Sequence, residues 1–170
     1  MRGRTEFAAL VLAVCSAGLA AGADEPETGF LPEVTVKRAT RLDWQFVARG
    51  LGAGAERLAA DYVSEEQRYQ LYVPPNYRPA KAWPLVVFVS PGDDPLGWRC
   101  WQRTCEAHDV LFCAAYAAGN RCPPGRRVRI VLDVLDDVRR RCRIDPEQTY
   151  LCGLGGGARL ACDVAFALPE

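Results

Sequence analysis

Thr149-Tyr150-Leu151-Cys152 runs directly into Gly153-Leu154-Gly155-Gly156-Gly157, and Ala158-Arg159-Leu160-Ala161 follows. A short apolar run, a turn with four glycines in five positions and a run of good helix formers predict strand, tight turn and helix, with the helix over about Gly156 to Leu168. Three readings of the turn fit its residues. The frame Gly153-Leu154-Gly155-Gly156-Gly157 matches Gly-x-Ser-x-Gly, the nucleophile elbow, with glycine at the serine position. Glycine tolerates the strained backbone of such an elbow but supplies no Oγ, so no acyl-enzyme can form there. Cys152 is no substitute, because it lies on the strand, three positions early. The second reading is a dinucleotide site, Gly153-x-Gly155-x-x-Ala158. An acidic ribose partner is expected about 20 residues further on, and only twelve residues follow Ala158. The third is a plain glycine turn that lets helix and strand pack closely.

Working outward, the body alternates strands and helices. Arg68–Val73 alternates apolar and polar and stops at Pro74-Pro75, which predicts an edge-type strand. Leu85-Val86-Val87-Phe88-Val89 is continuously apolar between Pro84 and Pro91-Gly92, the pattern of a strand buried on both faces. Residues 98–107 read as a helix and Val110–Ala115 as a second buried strand. Val128, Val131, Leu135 and Val138 fall at helical spacing, with Asp136–Arg140 and Asp137–Arg141 as i,i+4 pairs on an opposite, polar face. Arg139-Arg140-Arg141 reads as a solvated helix end. Ile144-Asp145-Pro146-Glu147 is a turn before a short strand over 149–152. This alternation predicts an α/β fold with a mainly parallel sheet flanked by helices. Ligands then collect in the loops at the strands' carboxyl ends, here Ser90-Pro91-Gly92-Asp93-Asp94 and the glycine turn.

Three divisions follow along the chain. Residues 1–23 have the layout of a secretory signal peptide: Arg2 and Arg4, an apolar stretch from Phe7 to Ala21, and Ala21-Gly22-Ala23 as a cleavage site. Residues 24–61 read as a flexible lead-in, and 62–170 as the folded domain. An exported protein of about 147 residues is expected, with no membrane span once the signal is removed. The chain carries 21 basic and 21 acidic residues, so it offers no electrostatic case for a nucleic-acid partner. Lysine occurs only at Lys37 and Lys81; the arginine excess reads as genome composition. Seven cysteines follow the signal, an odd number that leaves at least one free or paired between chains. Cys113, Cys152 and Cys162 read as small buried apolar residues. No Cys-x-x-Cys and a single histidine, His108, leave no metal site, and no cofactor is expected.

From Tyr69-Gln70-Leu71-Tyr72-Val73-Pro74 onward, the chain resembles the N-terminal half of secreted α/β-hydrolases. The esterase / poly(3-hydroxybutyrate) depolymerase-like group is the nearest likeness, with prolyl-oligopeptidase-like and dienelactone-hydrolase-like enzymes beside it. Pro84–Phe88, Val131–Val138 and Asp145–Gly153 carry the resemblance, in that order, over about 100 residues. It implies an exported carboxylic-ester hydrolase acting on a small-molecule or polymeric ester. The family's serine maps to Gly155, and its oxyanion loop to Pro91-Gly92 without the family's histidine. Backbone N–H groups of Gly156 and of Gly92 or Asp93 are the implied oxyanion donors. The family's acid and histidine follow the serine, yet the residues after Gly155 contain no histidine. The expectation is therefore a partial hydrolase sheet lacking its C-terminal strands, catalytically inactive, in a truncated gene product. A non-catalytic ligand-binding or interaction module on the same fold is the alternative, and a dinucleotide-binding protein a third.

Overall fold

A computed structural model describes residues 26–50 and 62–167. The signal-peptide segment, Cys15, Gly52, Gly54 and the last three residues lie outside them. Five strands form one sheet in the order β1-β2-β4-β3-β5: β1 Gly29–Thr35, β2 Arg68–Val73, β3 Trp83–Val89, β4 Leu111–Ala115 and β5 Ile144–Gly153. β4, β3 and β5 run parallel; β2 is antiparallel to both β1 and β4. Four strands thus point one way and one the other, the mainly parallel α/β sheet expected. β3 and β4 are buried on both faces, as continuous apolar runs require.

The helices are α1 Trp44–Gly50, α2 Trp98–His108, α3 Pro124–Arg141 and α4 Gly156–Ala167. One face of the sheet packs with Val47 of α1, Val128, Val131 and Val138 of α3, and Leu160 and Val164 of α4. The other face holds a smaller cluster of Tyr72, Val86, Phe112 and Ala114 under Cys105, Trp98 and Trp101 of α2. β3 therefore leaves toward one face through α2, while β4 and β5 leave toward the other through α3 and α4. In open α/β sheets ligands bind at the carboxyl ends of the strands where such a divergence occurs.

Five expectations change. Residues 29–35, read as lead-in, form β1, which pairs with β2 from Gly29↔Val73 to Thr35↔Arg68. β2 is consequently an interior strand rather than an edge. The turn at Ile144–Glu147 lies inside β5 as a bulge: Ile144 pairs with Trp83 and Thr149 with Leu85. Asp145 builds it, its Oδ1 accepting the Glu147 N–H at 3.0 Å and its carbonyl the Thr149 hydroxyl at 2.9 Å. Cys162 is exposed, whereas Cys113 is buried and Cys152 half-buried; all seven described cysteines are free thiols.

The fifth change concerns α3. Pro124 suits its first turn and the three terminal arginines its C-terminus. Its polar side is not solvated, however: Asp133, Asp136 and Asp137 are all buried. Residues 37–41 lie across them, and the carboxylates replace a neighbouring strand as acceptors. Asp137 accepts the Lys37 N–H at 2.9 Å, Asp133 the Thr40 N–H at 2.7 Å and Asp136 the Arg41 N–H at 2.9 Å. The Tyr62 and Tyr69 hydroxyls donate to Asp133 and Asp137 at 2.8 and 2.7 Å. Arg140 reaches the Arg38 and Ala39 carbonyls and Arg141 the Thr35 carbonyl, so this end of α3 clamps the strap instead of facing water. A buried carboxylate is tolerated only when its lone pairs are filled in this way.

Burial pushes the Asp136 carboxyl up, but hydrogen bonds from Arg41 and the charge of Arg140 outweigh it and hold the group below its ordinary 3.8. A carboxylate with a depressed folded pKa contributes stability above its unfolded pKa and loses it as pH falls through the folded value. The melting temperature should therefore drop as pH is lowered below about 4. Asp136→Asn should melt lower at neutral pH and show a smaller acid-dependent drop. An equal drop in both proteins would remove Asp136 from the account.

Candidate functional site

Three loops meet at the carboxyl ends of the strands. Loop 90–97 follows β3, loop 116–123 follows β4, and the glycine turn follows β5. Loop 90–97 is held by its own hydrogen bonds: the Ser90 hydroxyl donates to the Asp94 carbonyl at 2.8 Å and accepts the Gly92 N–H at 3.1 Å. The Gly92 donor is thus already engaged, which leaves Asp93 and Gly156 as open backbone candidates. Loop 116–123 laces onto loop 90–97. Ala117 N–H donates to the Asp93 carbonyl at 2.8 Å, Asn120 N–H to the Pro91 carbonyl at 2.8 Å and Gly119 N–H to Asp93 Oδ1 at 3.2 Å.

The glycines of the turn do different work. A Cβ on Gly153 would stand 2.6 Å from the Val89 carbonyl oxygen and 2.6 Å from the Gly157 backbone, and one on Gly157 would collide with that same Val89 oxygen. Both are required by the close approach of β5 and α4 to the end of β3. A Cβ on Gly156 would run into the Asn120 side chain. Gly155 differs. It has φ +55°, the left-handed region, and a Cβ there would meet nothing within 4 Å. Close packing therefore explains Gly153 and Gly157 but not Gly155, whose missing side chain would project into open space. Leu154, the remaining turn residue, is exposed. Gly156 opens α4, so its N–H belongs to the first helical turn, where donors lack intrahelical acceptors and the helix dipole is positive.

A cleft of about 350 Å³ runs from Gly156 between the start of α3 and α4, lined by Asn120, Cys122, Arg127, Arg159 and Asp163. Arg127 is its structural keystone. Only 7% of it is exposed, and its guanidinium spans all three loops. Nε donates to the Ala118 carbonyl at 2.6 Å and Nη2 to the Ser90 carbonyl at 2.8 Å; Nη1 reaches Asn120 Oδ1 at 3.1 Å and the Gly156 carbonyl at 3.3 Å. Burial lowers its pKa. Sequence reasoning missed both Arg127 and Asn120. An arginine inside an arginine-rich stretch carries no periodic signal, and only the convergence of three loops reveals its role.

The other candidates do not join this site. His108 is exposed at the end of α2, three residues before β4 begins, so it stands at the amino-terminal end of the parallel strands, opposite the end at which Gly155 lies. Cys152 is half-buried on β5, and burial pushes its thiol up to about 11, the wrong direction for a nucleophile. Among the described residues no group of three or more His, Cys, Asp or Glu side chains is placed to hold a metal, and no helix is long and apolar enough to cross a membrane.

No family model matches the chain, and no curated protein does. Solved structures do. A thermostable esterase is similar at 19% identity and a TM-score of 0.49, over 63% of this chain and 35% of its own. Esterase 2 of Thermogutta terrifontis, phosphorylated by paraoxon, is similar at 22% identity and 0.49, over 60% and 42%. Oligopeptidase B of Leishmania major is similar at 10% identity and 0.49, over 62% and 17%. The chain therefore spans less than half the length of each. The α/β class itself follows from the order and direction of the strands.

Proposed function

We propose that Gly153–Gly157 is an esterase-type nucleophile elbow without its nucleophile, carried by an α/β-hydrolase scaffold. On this reading the crevice binds a carboxylic ester or the corresponding acid without cleaving it. The signal-like residues 1–23 make it a protein of the exported compartment. The observation that carries the reading is the contrast within the turn: Gly153 and Gly157 are demanded by backbone contact, whereas Gly155 combines a positive φ with room for a side chain.

Acyl transfer by the serine route needs a heteroatom at the elbow, a base to take its proton and an acid to orient the base. Position 155 offers no heteroatom, and the histidine of these 170 residues lies at the opposite end of the strands. What the crevice retains is polarity. Gly156 N–H, at the positive end of α4, and Asp93 N–H are backbone donors of the kind that hold a carbonyl or carboxylate oxygen. Binding survives the loss of the nucleophile, because those donors are main-chain.

p-Nitrophenyl acetate tests this. The protein should release p-nitrophenol no faster than a denatured control, while butyrate should shift the Gly155 and Gly156 amide resonances. Turnover above that control would overturn the reading. If Cys122→Ala abolished such turnover, the chemistry would belong to the cleft thiol.

A further inference from the structure

The cleft that runs from Gly156 between α3 and α4 carries an imbalance of charge. Arg127 and Arg159 line it against one acid, Asp163. Arg127 is buried, yet its four acceptors are all neutral: the Ser90, Ala118 and Gly156 carbonyls and the Asn120 amide oxygen. A buried guanidinium is ordinarily matched by a carboxylate. Asp93 acts on Arg127 only through space. Its own contacts are the Gly119 N–H at 3.2 Å and Arg121 at 3.5 Å. Arg159 is exposed, and its Nε stands 3.8 Å from Asp163, whereas the i,i+4 ion pairs of α3 close to 2.7 Å. The cleft wall is therefore net positive.

Asn120 adds a donor whose direction is fixed. Arginine can only donate, so the atom that meets Arg127 Nη1 at 3.1 Å is Oδ1. Nδ2 then occupies the other arm of the amide, 3.1 Å from where a Gly156 Cβ would stand, with no partner among the described residues. Asn120 is exposed, unlike the guanidinium that orients it, so a ligand in the cleft can reach it. Gly156 itself presents its N–H at the start of α4, and Arg159 follows at i+3 on the same side of the helix.

We propose that this cleft selects an anion: its ligand is a short-chain carboxylate held by Gly156 N–H and Asn120 Nδ2, its charge balanced by Arg159 and the buried Arg127. This rests on the reading of the turn above and narrows it, from an ester or its acid to the ionised acid. A neutral ester offers the same donors an acceptor oxygen, but hydrogen bonds to an ionised oxygen are about twice as strong. The volume, about 350 Å³, is at the lower end of the range for ligand pockets and suits a chain of a few carbons. Asn120 is then a specificity-determining residue, and Arg127 a positioning residue that acts through the Asn120 amide.

Amide chemical-shift titrations with butyrate and with methyl butyrate, followed at Gly155 and Gly156, test this. Butyrate should bind about tenfold more tightly or better. Asn120→Asp keeps an oxygen for Arg127, so the three loops stay tied, but turns the donor into a charge that repels the carboxylate. Butyrate binding should fall about tenfold or more in that variant, and methyl butyrate binding by about threefold or less. Arg159→Gln, at an exposed position where folding is not at stake, should weaken butyrate about threefold. Equal affinity for the two probes, or butyrate binding unchanged in Asn120→Asp, would overturn the anion site and leave the reading of the turn standing. Shifts from neither probe would overturn both.

Discussion

Arg127→Met is expected to lower the unfolding free energy by about 3–5 kcal/mol, read as a drop in the urea midpoint at unchanged slope. The substitution keeps the aliphatic stem but strands the Ser90, Ala118 and Gly156 carbonyls and the Asn120 amide oxygen. Each buried acceptor left unpaired costs about 1–3 kcal/mol. Relief from desolvating the guanidinium offsets part of that sum, which is why the net stays below it. Arg127→Lys should recover little: an ammonium has three donors at one point, whereas these acceptors surround a planar fork. Where enough folded protein survives at low temperature, ligand shifts at Gly155 and Gly156 should vanish, since three loops lose their common anchor. A midpoint change equivalent to less than about 1 kcal/mol would show that the loops hold themselves.

Alanine at Gly157 or Gly153 should be more damaging still. The obstacle in each case is backbone, chiefly the Val89 carbonyl, which cannot rotate away as a side chain does. Ordinary overpacking costs about 1–3 kcal/mol when neighbours can yield. Here β5 and α4 would have to separate from β3, and we expect no cooperative unfolding transition in either variant at 25 °C. Gly155→Ala should cost only the left-handed backbone penalty, about 1–2 kcal/mol. Gly156→Ala falls between, because the Asn120 side chain can move. Equal losses at Gly155 and Gly157 would mean that the turn is merely a close-packing device.

The local patterns were legible where a single physical signal dominated. β3 and β4 stood out because burial on both faces demands continuous apolar residues, and α4 because a glycine turn stops one element and starts the next. α3 was found by its valine and leucine spacing, yet its opposite face was misread. Asp133, Asp136 and Asp137 look solvated in sequence, and become buried only because a strap about 95 residues earlier supplies backbone donors to them. The same non-local partnership hid β1. Gly29–Thr35 has two prolines nearby and weak alternation, and it becomes a strand because β2 offers it a ladder. At the site, the glycine turn and loop 90–97 were visible as motifs at strand ends. Arg127 was not, since its meaning lies in three carbonyls from three loops. Nor was the engagement of Gly92 by Ser90, a two-residue contact that depends on the loop's conformation.

Gly155→Cys gives the most direct test of the central claim, that position 155 stands open at the positive end of α4 and lacks only its nucleophile. Peptide-resolved alkylation by iodoacetamide across pH, followed at residue 155 by mass spectrometry, measures its thiol. The account predicts a fast-reacting thiol titrating below the ordinary value of about 8.5, because the helix N-terminus favours the thiolate. It also predicts one equivalent of p-nitrophenol released from p-nitrophenyl acetate beyond what the unsubstituted protein, with its exposed Cys100 and Cys162, releases, and no turnover after it. A thiol protected from alkylation, or titrating at or above 8.5, would contradict the elbow.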